Sequence, residues 1–544
     1  MNKVAHYLQQ HLSGEVLVSP DVLNHFSHDE SILSIKPLLV AHPRNENDLR
    51  KTARFSWQLS ERGRVVPITI RGRGTDQTGA SLGSGIILST PAHMNKIIEL
   101  DPKSGSVTVQ SGIRVDKLQQ TLHTHGRFLP SLQEVDYATL GGCVANNDAG
   151  PSSYKYGPIR EYVTGTRTIL ANGELIRTER LTKRELNKKL GLASFEGEIY
   201  RSLDALIEES KDTIDAMRQL GDRNNAGYCL QDVRTKDGSF DLTPLLVGSQ
   251  GTLGLISEVS FATEVHNPRL SMLAASYDSY EDAFTAVSRI NEMKQGPMII
   301  DFIDRSIIEL VQSVNPSLYK RTLGSEKPNI CLFIYLEQVA GKFGKRSLKQ
   351  LSKILADTNA DVVKVNDDNR EAWDATRTSP NLFTSSVAGA GKPLPIINDA
   401  LIPIERCADF IVKAKELISK YADTSFGIWG QAGSGIIYAT PIFDITTIGD
   451  RQKIFKLIDE YYTLVTSMGG SISARGAEGR LRSSQVHKVL SRDMIELTQK
   501  IKKIFDPFGI FNPGVKLASD VDVLKSSLVA SYENPHRYSH ISFN

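Results

Sequence analysis

One stretch, residues 70–88, limits what this chain can fold into more than any other. An apolar run, Val65 to Ile70, leads into it, and a second, Ile86 to Leu88, leads out. Between them Gly72, Gly74, Gly79, Gly83 and Gly85 are interleaved with Arg71, Arg73, Thr75, Gln77 and Thr78. Glycine takes positive φ at little cost, so successive backbone N–H groups can converge. Converging amides, with hydroxyl and amide side chains beside them, make a concave anion site. A phosphate or pyrophosphate is the natural guest; a plain Gly-rich turn is the competing reading. No Gly-Lys-Ser/Thr closes the loop, which excludes a P-loop. No helix follows the glycines as a dinucleotide fingerprint requires, since Ile86 to Thr90 reads as another strand. The loop joins strand to strand.

A chain of 544 residues holds two or three domains with real cores. Apolar content of 40% and charged content of 23% are those of a soluble globular protein. Sixty-four basic and 62 acidic residues leave a net charge of +2, which gives no argument for nucleic acid or an anionic membrane. Cys143, Cys229, Cys331 and Cys407 lie far apart, against an iron–sulfur cluster, a zinc knuckle or a disulfide framework. The reducing cytoplasm is the expected compartment. Met1 to Gly14 spaces Val4, Leu8 and Leu12 as a short amphipathic helix, without a signal peptide's apolar core. No apolar run reaches the roughly 20 residues that span a bilayer.

In chain order, Asn45 to Gly63 reads as a helix with Leu49, Ala53 and Trp57 on one face. Two strands around Pro102 to Gly105 and a short helix closed by Gly126 follow. A second Gly/Asn-rich stretch runs from Thr139 to Gly150, then a hairpin turns at Asn172-Gly173. Residues 178 to 223 read as a charged, helical, solvated excursion. A third Gly-rich piece, Leu246 to Ile256, runs into the alternating strand Ser257 to Phe261. Beyond residue 267 strands and helices alternate, as a sheet with helices on one face. The polar tail from Ser519 reads as a surface wrap or a mobile end.

Three loops, read as lying each between strands, carry Arg71-Gly72-Arg73-Gly74-Thr75-Asp76-Gln77-Thr78-Gly79, Thr139-Leu140-Gly141-Gly142-Cys143-Val144-Ala145-Asn146 and Gly248-Ser249-Gln250-Gly251-Thr252-Leu253-Gly254. With the closing Phe505-Asp506-Pro507-Phe508-Gly509-Ile510-Phe511-Asn512-Pro513-Gly514, they resemble the vanillyl-alcohol oxidase / para-cresol methylhydroxylase flavoproteins. Within these the chain is similar to the glycolate oxidase D-subunit, D-lactate dehydrogenase and D-2-hydroxyglutarate dehydrogenase branch, over about residues 33 to 517. The resemblance implies an α+β fold. A two-part FAD-binding domain would span 33–266 after an N-terminal helical segment, 1–32. An α+β cap with an antiparallel sheet would span 267–489 and form the substrate pocket. A helical return, 490–517, would pack on the FAD domain, followed by a tail, 518–544.

It also implies roles. The first loop would cradle the FAD pyrophosphate, Leu140 to Gly142 would approach from the other side, and Ser249 to Ile256 would hold the adenosine end. Pro130 joins the expected cofactor contacts. Arg71 and Arg73 would neutralise phosphate, or Arg73 would face solvent. The first loop lacks the histidine that tethers FAD in some relatives, and Cys143 reads as a small buried thiol. Non-covalent FAD is expected.

The family's metal motif, Gly-His-x-Gly-x-Gly-Asn-x-His, is broken here: Gln431 and Tyr438 stand at the histidines and Ile436 at the asparagine. In the later Gly-Glu-His, Arg475 replaces the glutamate and Gly476 the histidine. The expectation is no metal. Tyr438 is a candidate partner of a substrate hydroxyl and Glu478 a candidate base. Arg475, Arg482 and Arg377, the last in a stretch similar to the family's Trp-x-x-Arg, are candidate carboxylate ligands. Lys392-Pro393 and Asn398-Asp399 resemble the family's site-lining Lys-Pro…Glu-Asp. The implied activity is oxidation of a CH–OH group, in a small acid or alcohol, by hydride transfer to FAD. No iron–sulfur module follows the closing signature, so oxygen, a quinone or a separate partner would take the electrons. A homodimer is compatible with this reading. The alternative is a flavoprotein that kept its cofactor fold, lost 2-hydroxy-acid turnover and serves as a binding or electron-relay subunit.

Overall fold

Pro67 sets where the first strand of the Gly-rich region begins, because proline has no N–H to give to a ladder. The strand is Ile68–Arg71, not Val65–Ile70, and it lies parallel to Ile86–Ser89, the strand after the loop. A parallel return needs a crossover of a dozen or more residues, and 72–85 supply it without a helix. The structure is a computed structural model. It describes residues 3–532 apart from 134–136, 222, 325–326, 339–341, 381–390, 423–425 and 518–519.

The chain divides into two compact units, one of Met1–Gly150, Pro158–His266 and Arg475–Leu528, the other of Pro151–Gly157, Asn267–Ala474 and Val529–Asn544. The first unit resumes at Arg475, so the return begins before the expected residue 490. The N-terminal segment is no separate body. Val4, Ala5, Leu8 and Leu12 pack with Leu39, Ala41, Leu49, Ala53 and Ile68 in the core of the first unit. The buried Asp48 carboxylate fastens it, accepting the N–H groups of Ser13, Gly14 and Arg44 at 2.9, 3.0 and 2.9 Å.

Among the described residues the first unit holds a two-stranded ladder, Arg127–Phe128 with Glu264–Val265, and two larger sheets. One runs Glu15–Leu17, Leu39–His42, Ile86–Ser89, Ile68–Arg71; the other is antiparallel, Ile97–Asp101, Ser106–Gln110, Leu255–Ala262, Val163–Ile169, Leu175–Thr178. The closing signature lies along Ile68–Arg71: Ile68 N–H donates to Ile510 O at 2.7 Å and Asn512 N–H to Ile68 O at 2.9 Å. Residues 178–223 correct the reading of a solvated excursion. Ile199, Tyr200, Leu203, Leu206 and Ile207 of the helix Phe195–Glu209 are buried, and the helix packs on Arg492–Phe505. Within the expected tail, Val521–Ser526 is helical and Ser34 N–H donates to Ser527 O; 518–519 and 533–544 lie outside the described residues.

The second unit is built on a seven-stranded antiparallel sheet ordered Asp361–Val365, Leu270–Tyr277, Ile330–Glu337, Ile299–Asp304, Gly427–Gln431, Ile436–Thr440, Ile397–Leu401. Helices cover both faces rather than one. Phe302, cross-strand partner of Leu332, meets Phe284 of the helix Tyr280–Asn291, while Phe333 on the opposite face meets Trp373 of Asp367–Arg377. The cause is in the strands: Ile330 to Leu336 are all buried, and a two-sided strand reads as a continuous apolar run rather than an alternation.

Candidate functional site

The Gly-rich stretches meet in the first unit through a short helix that sequence reading missed. Leu140–Asn146 is α-helical, with Thr139 extended before it and Asn147 left-handed after it. The second stretch is therefore not a loop between strands. Its two glycines obscured the helix, since glycine disfavours helix locally and tertiary packing overrides the propensity. The packing is close: a Cβ on Gly141 would lie 2.7 Å from Ser111 O, and one on Gly72 would lie 2.1 Å from Thr139 Oγ1. The third stretch is tied to the same helix, with Gly248 N–H donating to Val144 O at 2.9 Å and Gln250 N–H to Ala145 O at 3.0 Å.

Asn512 explains the closing signature. Its Nδ2 donates to Ala80 O of the first loop and Gln250 O of the third, both at 2.8 Å, while Oδ1 accepts from Thr69 Oγ1 at 3.1 Å. Arg480, buried, donates to Gly79 O, Leu82 O and Pro513 O. Neither residue was singled out from sequence, because the partners lie hundreds of positions away.

These contacts enclose a cavity partly open to solvent, the kind of concave site that takes small molecules and cofactors. Of the expected cofactor contacts, Arg71, Gly72, Asp76, Thr139, Gly141, Gly142, Ala145, Asn146, Gly251, Gly254 and Ile256 line it. Arg73 is exposed and does not; Gly74, Thr75, Gln77, Gly79, Pro130, Leu140, Gly248, Ser249 and Thr252 lie outside its lining. Ser249 and Thr252 use their hydroxyls on Leu246 O and Ser249 O, closing the third loop. Gln250, within the expected Ser249 to Ile256, lines the cavity too, and Ile70, Ala80, Ser81, Thr90 and Ser111 line it without having been singled out. Thr90 and Ser111 each directly follow a strand end, where only strand register reveals which groups face inward.

Arg71 is pulled from the phosphate role. Its guanidinium donates to Phe26 O at 3.2 Å and His28 O at 2.7 Å, so it anchors the N-terminal segment under the first loop. The anion binder is then backbone. Among the described residues, the amides of Gly72 to Asp76 have no backbone or side-chain acceptor. Two of these, Gly72 and Asp76, line the glycine-rich cavity, where unsatisfied N–H groups suit a phosphate, and Ile70, Ala80, Ala145 and Ile256 suit flat apolar rings. The residues present fit FAD. Burial pushes the Cys143 thiol well above its ordinary value, which withholds the thiolate a covalent tether would need.

The expected catalytic residues divide. Glu478 is fully buried against Lys516, with Oε2 2.9 Å from Nζ, and Oε1 accepts the Gly227 N–H at 3.0 Å. Both oxygens are committed inside the first unit, which corrects its reading as a base. Arg482 is buried and donates to Ala477 O at 2.8 Å. Arg475 donates from Nη2 to Gln133 Oε1 at 2.6 Å. In the second unit, Arg377 is paired with Asp301 at 2.8 Å, both nearly buried, so an internal carboxylate holds it. Tyr438 sits opposite Trp429 on neighbouring strands with ring centroids 5.9 Å apart. Asn398 O accepts from Tyr462 and Asp399 Oδ1 from Ala474 N–H, while Lys392-Pro393 pairs with Ile442–Phe443. Among the described residues no three His, Cys, Asp or Glu side chains converge to hold a metal, and no helix is long and apolar enough to cross a membrane.

Asp148 is buried beside Arg475, and burial pushes its carboxyl up to about 7, with the Cys143 thiol and Arg475 opposing and Asp76 adding to the rise. A carboxyl raised in the fold costs stability as pH climbs. The cost is absent below the unfolded value near 4, grows through the window from about 4 to 7, and levels at about 4 kcal/mol above it. Asp148→Asn is therefore expected to narrow the fall in apoprotein Tm between pH 5 and pH 8, read by circular dichroism. An unchanged fall would contradict this assignment.

Comparison with known proteins agrees with the geometry. Residues 37–179 match the family model described as FAD binding domain, and residues 267–515 match FAD linked oxidases, C-terminal domain. The chain is 27% identical over 531 residues to D-2-hydroxyglutarate dehydrogenase of Escherichia coli (strain K12), covering 93% of this chain and 50% of that protein. It is 26% identical over 489 residues to glycolate oxidase subunit GlcD of Bacillus subtilis (strain 168), covering 89% and 90%. The chain thus spans about half the length of the D-2-hydroxyglutarate dehydrogenases it matches. In fold it is similar to 4-ethylphenol oxidase from Gulosibacter chungangensis, with a TM-score of 0.67, 13% identity, and 95% and 97% of the two chains covered.

Proposed function

Because this chain belongs to the FAD-linked oxidases of the vanillyl-alcohol oxidase / para-cresol methylhydroxylase type, we propose that it is an FAD-dependent dehydrogenase or oxidase acting on the CH–OH group of a 2-hydroxy acid or related small acid. The observation that carries the reading is the glycine-lined cavity with the Gly72 and Asp76 amides, which have no protein acceptor among the described residues, at its wall. FAD, when bound, supplies the hydride acceptor. Arg475, in the same unit as the cavity, binds the substrate carboxylate through the guanidinium fork. The similarity to enzymes named for D-2-hydroxyglutarate, glycolate and D-lactate supports a small hydroxy acid. No metal enters, since Gln431 and Tyr438 occupy the two histidine positions of the motif.

Anaerobic mixing with a panel of D-2-hydroxy acids, sugar acids and alcohols tests this. At least one acid should bleach the flavin. Arg475→Ala should then slow bleaching at low substrate about 100-fold without changing FAD content. Chelators should have no effect; inhibition that added divalent metal reverses would overturn the metal-free reading. One observation favours the second reading, a flavoprotein without turnover: Glu478 and Arg377 are both held in internal ion pairs. Failure of every compound in the panel to bleach a fully loaded flavin would support it.

A further inference from the structure

Arg475 is not a lone side chain on a loop. Its carbonyl accepts the Ala149 N–H at 3.0 Å, and its Nη2 donates to Gln133 Oε1 at 2.6 Å. Gln133 in turn donates from Nε2 to Asp148 Oδ1 at 3.0 Å. Asp148 is itself pinned: its N–H donates to Cys143 O at 3.0 Å and its carbonyl accepts the Ile159 N–H at 2.9 Å. The neighbouring Gly150 N–H donates to Ser131 O at 2.8 Å, which holds the Gln133 strand of the loop against the same segment. All of these residues lie in the first unit.

The chain of bonds has one orientation. A guanidinium only donates, so the amide oxygen of Gln133 must face Arg475, which leaves its amide nitrogen to donate to Asp148. The group that accepts from Arg475 in this relay is a neutral amide, whereas Asp301 accepts from Arg377 as a carboxylate. The groups facing Asp148 are the Cys143 thiol, Gln133, Arg475 and Asp76.

We propose that Gln133 and Asp148 are positioning residues that hold the Arg475 guanidinium for the carboxylate of the substrate. This deepens the acid-substrate reading above and rests on it. The resemblance that pointed to Arg475 says nothing of either residue; the relay is visible only where 133, 148 and 475 meet.

Malonate, a dicarboxylate with no hydroxyl to oxidise, is the probe, titrated into FAD-loaded protein and followed by the flavin absorbance. Arg475→Ala should weaken it about 100-fold and Gln133→Met, which keeps the side-chain volume, about 10-fold. Asp148→Asn, whose amide can offer a donor and so lets Gln133 turn, should weaken it by a similar factor to Gln133→Met. FAD content should hold in each variant, and Tm should hold in Gln133→Met. The double variant Gln133→Met/Arg475→Ala should bind no more weakly than Arg475→Ala alone, a non-additivity that general destabilisation does not produce. If Gln133→Met and Asp148→Asn bind malonate as wild type while Arg475→Ala does not, the positioning role is wrong and the acid reading stands. If wild type gives no response, or Arg475→Ala responds as wild type, the acid reading fails and the relay falls with it.

Discussion

Gly142→Leu should give a folded, colourless protein. Gly142 lines the cavity, and a Cβ there would meet only Thr139 Oγ1, at 3.3 Å. Its backbone is not left-handed, and leucine is the better helix former. The fold therefore has no reason to resist the change, while the side chain enters the space a flavin needs. Loss of FAD affinity of at least a thousandfold, about 4 kcal/mol, is expected. Wild type should release FAD on denaturation and Gly142→Leu should release none, with far-ultraviolet circular dichroism and Tm near those of the wild-type apoprotein. Gly142→Ala, the smaller change, should remain yellow. A yellow Gly142→Leu protein with full FAD content would mean that the flavin lies elsewhere.

Glu478→Ala should be the most destabilising single substitution among the candidate residues. Lys516 Nζ and Glu478 Oε2 are 2.9 Å apart with both side chains fully buried, and removing the carboxylate strands an ammonium with no anion. Burial already depresses the Lys516 ammonium, with Glu478 opposing that fall. Losing one partner of such a pair costs about 3–5 kcal/mol. Replacing both with neutral groups of similar shape, Glu478→Gln with Lys516→Met, should restore most of the loss, because the cost lies in the uncompensated charge. Chemical denaturation of the apoproteins separates the outcomes. A Glu478→Ala protein as stable as wild type but unable to oxidise its substrate would return Glu478 to the catalytic set.

The disagreement over Glu478 shows where sequence reading stops. Its position after Arg475, Gly476 and Ala477 marked it as a polar group near a retired metal motif, and an acidic residue there suits a base. Nothing local indicates Lys516, 38 residues on, or Gly227, 251 residues back. Arg71 went the same way, since its acceptors belong to the N-terminal segment rather than to the loop it opens. The sheet of the second unit was legible strand by strand, and only the side chains packed on its second face, such as Trp373 against Phe333, were not.

By itself the sequence determined the cofactor class, the order of the Gly-rich segments, most strands and helices, and the departure from the metal motif at Gln431, Tyr438, Arg475 and Gly476. Those are local matters: glycine's reach into positive φ, apolar periodicity, and which side chains stand at motif positions. Tertiary structure alone decided that Leu140–Asn146 is a helix, that the Gly72 and Asp76 amides at the cavity have no protein acceptor among the described residues, that Asn512 joins two loops, and that Gln133 connects Asp148 to Arg475. Each depends on groups brought together from distant parts of the chain, and a buried donor, acceptor or charge takes its role from whichever partner burial leaves it.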